Sequence, residues 1–105
     1  MVELTNDADK MICYIYQSFL QRRKDGSSKA DARRFSADYF STSKNFSSWH
    51  PQDISETLLE LGRQQFVKIY IGGSFVLSDH GLVYMENRFK NNVKELAEFI
   101  SHFIP

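Results

Sequence analysis

The sequence predicts a small α+β domain that is mostly helical and carries one β-hairpin. Apolar residues recur at helical spacing in three separate segments, whereas two short runs rich in β-branched and aromatic residues flank Gly72-Gly73. The chain has 105 residues, of which 42% are hydrophobic and 14% aromatic, which leaves room for one modest core. We therefore expect one domain over residues 1–105, with a helical extension from about residue 90 to the end.

Composition excludes a strong global attraction to nucleic acid or membranes. The 13 basic and 13 acidic residues cancel, so any such binding requires a local patch of charge. No apolar run approaches the roughly 20 residues of a membrane span, and the polar opening MVELTNDADK is unlike a signal peptide. We expect a soluble cytoplasmic protein that makes no contact with membranes.

Reactive side chains are few and scattered. Cys13 is the sole cysteine, which excludes an internal disulfide, and its apolar neighbours favour a buried structural thiol. His50, His80 and His102 are too dispersed to predict a metal site, and no glycine-rich nucleophile turn or phosphate loop accompanies them. The sequence therefore predicts neither enzymatic activity nor a metal or cofactor.

The first helix is predicted from about Asp7 to Lys24. Asn6 offers an N-cap with Asp9 three residues later, and Gly26 suits a left-handed stop. The apolar positions share a helical spacing and are Ile12, Ile15, Tyr16, Phe19 and Leu20. This is the best-marked helix of the chain.

The middle of the chain predicts a short helix, a loop and then an amphipathic helix. Ser28 and Asp31 form a start signal for a helix that extends toward Phe40. The Ser-, Thr- and Asn-rich stretch from Ser41 to Ser48 is typical of a loop. His50-Pro51 then starts a helix of about three turns, because proline suits the first helical position. Its predicted buried stripe is Ile54, Leu58 and Leu61.

The last third of the chain predicts a hairpin that passes into a helix. Val67 to Ile71 and Ser74 to Ser78 have strand composition, and a two-residue Gly-Gly connection suits a primed turn with positive φ. Ser78 can cap the following helix. That helix either continues to the C-terminus or is interrupted at Asn91-Asn92, because Asn92 and Glu95 give a fresh start signal.

The order of these elements, with ETLLELGRQQFVKI leading into FVLSDHGLVYME, resembles a winged helix-turn-helix domain. In that family the third helix ends just before a hairpin wing, and the second wing strand enters a helix through a Leu-Thr-x-x-Gly-like step, here Leu77 to Gly81. The resemblance covers about Met11 to Phe89 and is to small single-domain winged-helix proteins of Gram-positive bacteria and their phages. It implies a three-helix core, a two-stranded wing and a C-terminal helix or helix pair. Gln65 replaces the glycine that commonly stops the third helix, which predicts a mildly strained left-handed cap.

The resemblance implies DNA binding and transcription regulation, although the charges depart from the family. The predicted third helix carries Asp53, Glu56 and Glu60 against Arg63 alone, which opposes the approach of a phosphate backbone. The basic run from Arg22 to Lys24 is accounted for by the helix dipole. The candidate contacts with double-stranded DNA are Lys29, Arg33, Arg34, Lys44, Gln52, Ser55, Arg63 and Lys68.

The alternative function is a protein-protein interaction module on the same scaffold that does not bind DNA. Its candidate surface consists of Phe46, Trp49, Glu56, Leu59 and Glu60. A neighbouring set of aromatic residues either anchors the core and loops or stacks on single-stranded bases, and it consists of Tyr39, Phe40, Phe46 and Trp49.

An apolar stripe with helical spacing lies near the C-terminus. It either covers the first helix of its own chain or forms the seam of a homodimer. The candidate seam residues are Phe89, Val93, Leu96, Ile100 and Phe103.

Overall fold

The longest element, helix α1 (Asn6–Lys24), packs against most of the other helices of the computed structural model, which describes residues 3–90 and 93–103. Its N-cap is Thr5, whose hydroxyl accepts a hydrogen bond from the Ala8 amide at 3.2 Å, so the predicted cap at Asn6 is wrong by one residue. The predicted stop is confirmed, because Gly26 has φ 102°. Eight side chains of α1 are buried, and they form the centre of the core.

The segment after α1 contains more structure than the sequence predicts. The predicted helix is wrong beyond Ala32: helix α2 (Lys29–Ala32) gives way to strand β1 (Arg34–Phe35). The predicted loop is also wrong in part, since helix α3 (Tyr39–Thr42) and a 3₁₀ turn (Lys44–Phe46) lie there. Each of these last two turns buries one phenylalanine in the core, and such burial overrides the loop preference of the polar residues around it.

Helix α4 (Pro51–Arg63) begins where it is predicted. The His50 imidazole Nδ1 accepts a hydrogen bond from the Gln52 amide at 3.1 Å, and the proline takes the first helical position. The predicted stripe faces the core, with Leu58 and Leu61 buried and Ile54 partly buried.

The end of α4 confirms the predicted left-handed cap. Gln65 has φ 64°, and its amide donates to the Gly62 carbonyl at 3.0 Å. The Phe66 amide donates to the Leu61 carbonyl at 3.0 Å, which completes a Schellman motif. A residue with a side chain therefore occupies a position that usually favours glycine.

Three short antiparallel strands form the sheet, in the order β1-β3-β2, with β2 at Val67–Ile69 and β3 at Phe75–Leu77. The predicted two-residue hairpin turn is wrong. The Tyr70 amide donates to the Ser74 carbonyl at 2.8 Å, so three residues form the tip. Positive φ at the two tip glycines is confirmed, with values of 97° and 98°.

Two separate helices complete the chain, α5 (Asp79–Arg88) and α6 (Val93–Ser101). Ser78 caps α5 as predicted, since its hydroxyl accepts from the Gly81 amide at 3.0 Å. The predicted interruption at Asn91-Asn92 lies outside the described residues. No helix within the described ranges is long and apolar enough to cross a membrane.

Packing of α5 and α6 on α1 closes the core. The Arg88 guanidinium forms a two-pronged ion pair with Asp9 of α1 and lies 4.5 Å from the Phe99 ring centre of α6. Hydrogen bonding to Asp9 raises the pKa of Arg88 further above its already high value. On the opposite side, aromatic rings fill the space beneath the sheet, where Phe75 stacks on Phe35 at 5.0 Å and on Phe40 at 5.4 Å.

Candidate functional site

The solvent-facing side of the sheet carries two of the predicted DNA contacts. Side chains alternate along a strand, so Phe35 and Phe75 face the core while Arg34, Val76 and Lys68 face outward. The strand register places Arg34 opposite Val76 and Val76 opposite Lys68. Because adjacent strands lie about 4.8 Å apart, the backbones of the two basic residues are about 10 Å apart. We call this surface the sheet face; its residues are Arg34, Ser36, Lys68, Tyr70, Ser74 and Val76.

A shallow groove of about 680 Å³ runs from the sheet face to the C-terminal end of α1. The Arg34 side chain is 70% exposed, and the nearest acidic partner is Asp31 at 3.8 Å. On the α1 side, Arg22 donates a hydrogen bond to the Arg34 carbonyl at 2.5 Å and lies 4.2 Å over the Phe35 ring. Ser27, Ser36 and Ser74 line the same groove together with Asp31, and the Ser36 hydroxyl donates a hydrogen bond to the Asp38 carboxylate. Guanidinium groups are suited to phosphate oxygens, and that of Arg34 is the exposed one in this groove.

The other basic candidates of this region lie off the sheet face. Arg33 is 20% exposed; its Nε donates to the Leu77 carbonyl at 2.8 Å and its Nη2 pairs with Asp79 at 2.8 Å. This guanidinium therefore joins β1 to β3 and to the start of α5. Lys29 is exposed at the first residue of α2, and Lys44 is exposed on the 3₁₀ turn.

The three candidates on α4 lie on its outer side among acidic residues. Gln52, Ser55 and Arg63 are exposed, and the Gln52 amide group donates to Glu56 at 3.3 Å. The structure brings Arg63 close to Lys68, since both line a groove between α4 and β2. The groove beside Arg34 and the groove beside Arg63 have no lining residue in common.

The alternative interaction surface is only partly available. Phe46 is 2% exposed, and the Trp49 ring packs edge-on against it at 5.1 Å. Glu60 accepts hydrogen bonds from the Thr5 amide at 3.0 Å and from the Thr5 hydroxyl at 2.8 Å. Leu59, 52% exposed, and Glu56 remain on the surface.

Aromatic residues near the 3₁₀ turn act as anchors of the core. Tyr39 and Phe40 pack against each other at 5.1 Å, and Phe40 meets Phe46 edge-on at 4.9 Å. The Tyr39 hydroxyl lies 2.7 Å from the Ser18 hydroxyl, and burial raises the pKa of Tyr39. Rings packed in this way do not offer their faces to single-stranded bases.

The C-terminal stripe covers helix α1 of its own chain. Phe89, Leu96 and Ile100 are buried, and the Phe103 ring lies 5.7 Å from the ring of Tyr14 on α1. Among the seam candidates within the described residues, Val93 lies on the surface, with 63% of its area exposed. A homodimer stays a prediction, but most side chains of this stripe already pack against the core of their own chain.

Cys13, His50 and His80 are each accounted for by burial, capping or ring packing. Burial raises the pKa of the Cys13 thiol to about 12, which keeps it neutral at physiological pH. His50 caps α4, and His80 stacks on Phe66 at 5.0 Å. In the part of the chain that the structure describes, no three His, Cys, Asp or Glu side chains are grouped to hold a metal ion.

Two residues of the groove were missed by sequence reasoning. The sequence indicates a helix end for Arg22 and a strand for Tyr70, but no local pattern in it predicts the pairing of β1 with β3. That pairing alone brings both residues beside Arg34.

Comparisons of this chain with protein-family models, with curated proteins and with solved structures find no match.

Proposed function

We propose that this chain is a non-enzymatic winged-helix protein of the cytoplasm that binds double-stranded DNA and acts in transcription-type regulation. The observation that carries the proposal is the row of Arg34, Val76 and Lys68 across the sheet face, with Arg22 at its edge. In this proposal the sheet face contacts phosphates, and the outer side of α4 does not.

The step from β3 to α5 supports the winged-helix part of the proposal. Ser78 both donates a hydrogen bond to the Gln65 carbonyl at 2.6 Å and caps α5. Gly81 packs so closely on Phe66 that an added Cβ would lie 3.0 Å from the Phe66 Cα. Ser78 and Gly81, which belong to the step that resembles the family, therefore hold the start of β2 against the helix that follows the hairpin.

The number of exposed cations sets the strength of the proposed binding. Each neutralised phosphate contributes roughly 0.9 to the slope of log affinity against log salt. Arg34 and Lys68 would together give a slope of about 2, which corresponds to weak, largely sequence-independent binding. Arg22 and Arg33 are left out, because both guanidinium groups are used within the fold.

The test is a fluorescence-anisotropy titration of a labelled random 20-bp duplex at 50 mM and 200 mM salt. We expect affinity to fall with salt, and we expect Arg34→Gln combined with Lys68→Gln to reduce the slope by about 2. The matched control is Lys90→Gln, which removes an exposed cation just after α5 and should leave the slope unchanged.

Absence of binding at 50 mM salt would contradict the proposal, as would an equal loss of slope in the Lys90→Gln control. The first result would favour the alternative, an interaction module that does not bind DNA, and the second would mean that the duplex is not held by the sheet face.

A further inference from the structure

Tyr70 differs from the other aromatic residues of the structure. Among residues 3–90 and 93–103, every other phenylalanine, tyrosine and tryptophan packs its ring against a second ring. Tyr70 contacts no other aromatic ring within these ranges, and it is 46% exposed. Ile71, the next residue, is fully exposed at the tip of the hairpin. The Tyr70 ring is therefore accessible to a ligand that stacks on it.

The Tyr70 ring lies on the sheet face beside two exposed cations. Side chains alternate along β2, so Tyr70 follows Lys68 on the same side of the sheet, and the Lys68 Nζ atom lies 5.3 Å from the centre of the ring. The Tyr70 amide donates a hydrogen bond to the Ser74 carbonyl at 2.8 Å, which holds this residue beside the strand that leads into β3. Tyr70 and Arg34 line the same groove of about 680 Å³. One surface thus combines an accessible aromatic ring with two cations.

An aromatic ring beside cations is suited to an unpaired nucleotide. In single-stranded DNA the phosphates bind cations while a base stacks on an aromatic ring, and this stacking tolerates any base because every base has a π-face. Inside a duplex, the faces of each base are covered by the neighbouring base pairs. Paired DNA can therefore contact Arg34 and Lys68, whereas an unpaired base is required for stacking on Tyr70.

Acidic charge opposes this binding only weakly. Asp31 is the acidic residue among those that line the groove, and it lies 3.8 Å from Arg34 on the surface. An exposed ion pair of this kind contributes little to stability, so a phosphate can compete with Asp31 for the guanidinium. The charge of the groove is therefore compatible with a ligand that carries phosphates.

We propose that Tyr70 stacks on an unpaired base beside a bound duplex, so that the preferred ligand of the sheet face is double-stranded DNA with a single-stranded overhang. Arg34 and Lys68 hold phosphates at the end of the duplex, and Tyr70 takes a base of the overhang whatever its identity. This inference rests on the proposed function for its phosphate contacts, and it adds the class of DNA that the site prefers.

The test compares three labelled DNAs with the full chain by fluorescence anisotropy at 50 mM salt. The first is the blunt 20-bp duplex, the second adds a 3′ overhang of four deoxyadenosines, and the third adds an overhang of four abasic nucleotides. The abasic overhang carries the same phosphates and lacks the bases. We expect the adenine overhang to bind about tenfold more tightly than the abasic overhang, because stacking of one base on an aromatic ring has an effect of this size.

Two variants of Tyr70 separate stacking from a structural role. Tyr70→Leu removes the ring and should abolish the preference for the adenine overhang, whereas Tyr70→Phe keeps the ring and should retain the preference. Affinity for the blunt duplex should be the same in both variants. In NMR spectra of the unaltered chain, the adenine overhang should move the ring protons of Tyr70 upfield, and the abasic overhang should not.

The outcomes distinguish this inference from the proposed function. Equal affinity for the adenine and abasic overhangs would overturn the inference, and so would a preference that persists in Tyr70→Leu. If the blunt duplex still binds in a salt-dependent way in either case, the proposed function stands without the inference. Absence of binding to all three DNAs would contradict both.

Discussion

The sheet face and the outer side of α4 are neighbouring surfaces with opposite charge. On the sheet face, Arg34 and Lys68 flank Val76. On the outer side of α4, Asp53 and Glu56 are exposed, and the cation of that side stands at its C-terminal end. The difference shows that the amphipathic helix before the hairpin carries the wrong charge for phosphates on its outer side. The positive surface comes instead from strand register.

The two surfaces meet at β2, so their relative positions depend on the packing of α5 against the start of β2. Gly81→Ala should disrupt this packing more than any other change proposed here, because the added methyl group would overlap the Phe66 carbonyl just before β2. Helix propensity alone favours alanine by about 1 kcal/mol. We nevertheless expect the free energy of unfolding to fall by about 3 kcal/mol in urea denaturation.

The control for Gly81→Ala is Asn87→Ala, at an exposed position of the same helix, which should leave stability unchanged or slightly raised. Equal stability of the two variants would contradict the close packing of α5 on β2.

Arg22→Met removes the guanidinium that closes the β1 edge while it keeps the apolar stem over the Phe35 ring. We expect a loss of about 2 kcal/mol in the free energy of unfolding, from one charged hydrogen bond and one cation-π contact. Lys24→Met is the matched control in the same helical turn, and it should cost clearly less. A similar loss of stability in both variants would mean that the hydrogen bond from Arg22 to the Arg34 carbonyl does not stabilise β1.

Gln65→Gly should strengthen the connection between α4 and β2. The native φ of 64° is strained for glutamine and is accessible to glycine, so we expect a gain of about 0.5 to 1 kcal/mol in the free energy of unfolding. Gln64→Gly, at the adjacent residue with φ −80°, should have the opposite sign. A loss of stability in Gln65→Gly would show that the glutamine side chain stabilises the fold by more than the backbone strain costs.

The smallest effect is expected from removing the charges on α4. Asp53→Asn with Glu56→Gln should change duplex affinity by less than about threefold at 150 mM salt, because the Debye length there is about 8 Å. Anisotropy titration in parallel with Arg34→Gln and Lys68→Gln gives the comparison directly. A tenfold or greater gain in duplex affinity would mean that the duplex lies beside α4, which would contradict our proposal.

Much of the fold could be predicted from local signals. The start of α4 at His50-Pro51, the cap at Ser78 and the left-handed Gln65 all depend on neighbouring residues, and the structure confirms them. The predictions failed where tertiary contacts decide. Strand β1 has two residues, too few for any periodicity, and it exists because it pairs with β3.

The candidate site was predictable only as a set of residues. Charge identifies both Arg34 and Lys68 as candidates, but their juxtaposition follows from the β1-β3-β2 order, which the sequence does not indicate. Charge identifies Arg33 equally well, and its pairing with Asp79 depends on contacts across the fold. Charge patterns can therefore name candidates, while pairing decides which of them share a surface.

The most direct measurement is the NMR spectrum of the ¹⁵N-labelled chain titrated with the random 20-bp duplex at 50 mM salt. Our account predicts the largest amide shifts at Arg34, Lys68, Tyr70 and Val76, with little change at Asp53 and Glu56. The largest shifts along the outer side of α4, or none at either surface, would contradict it.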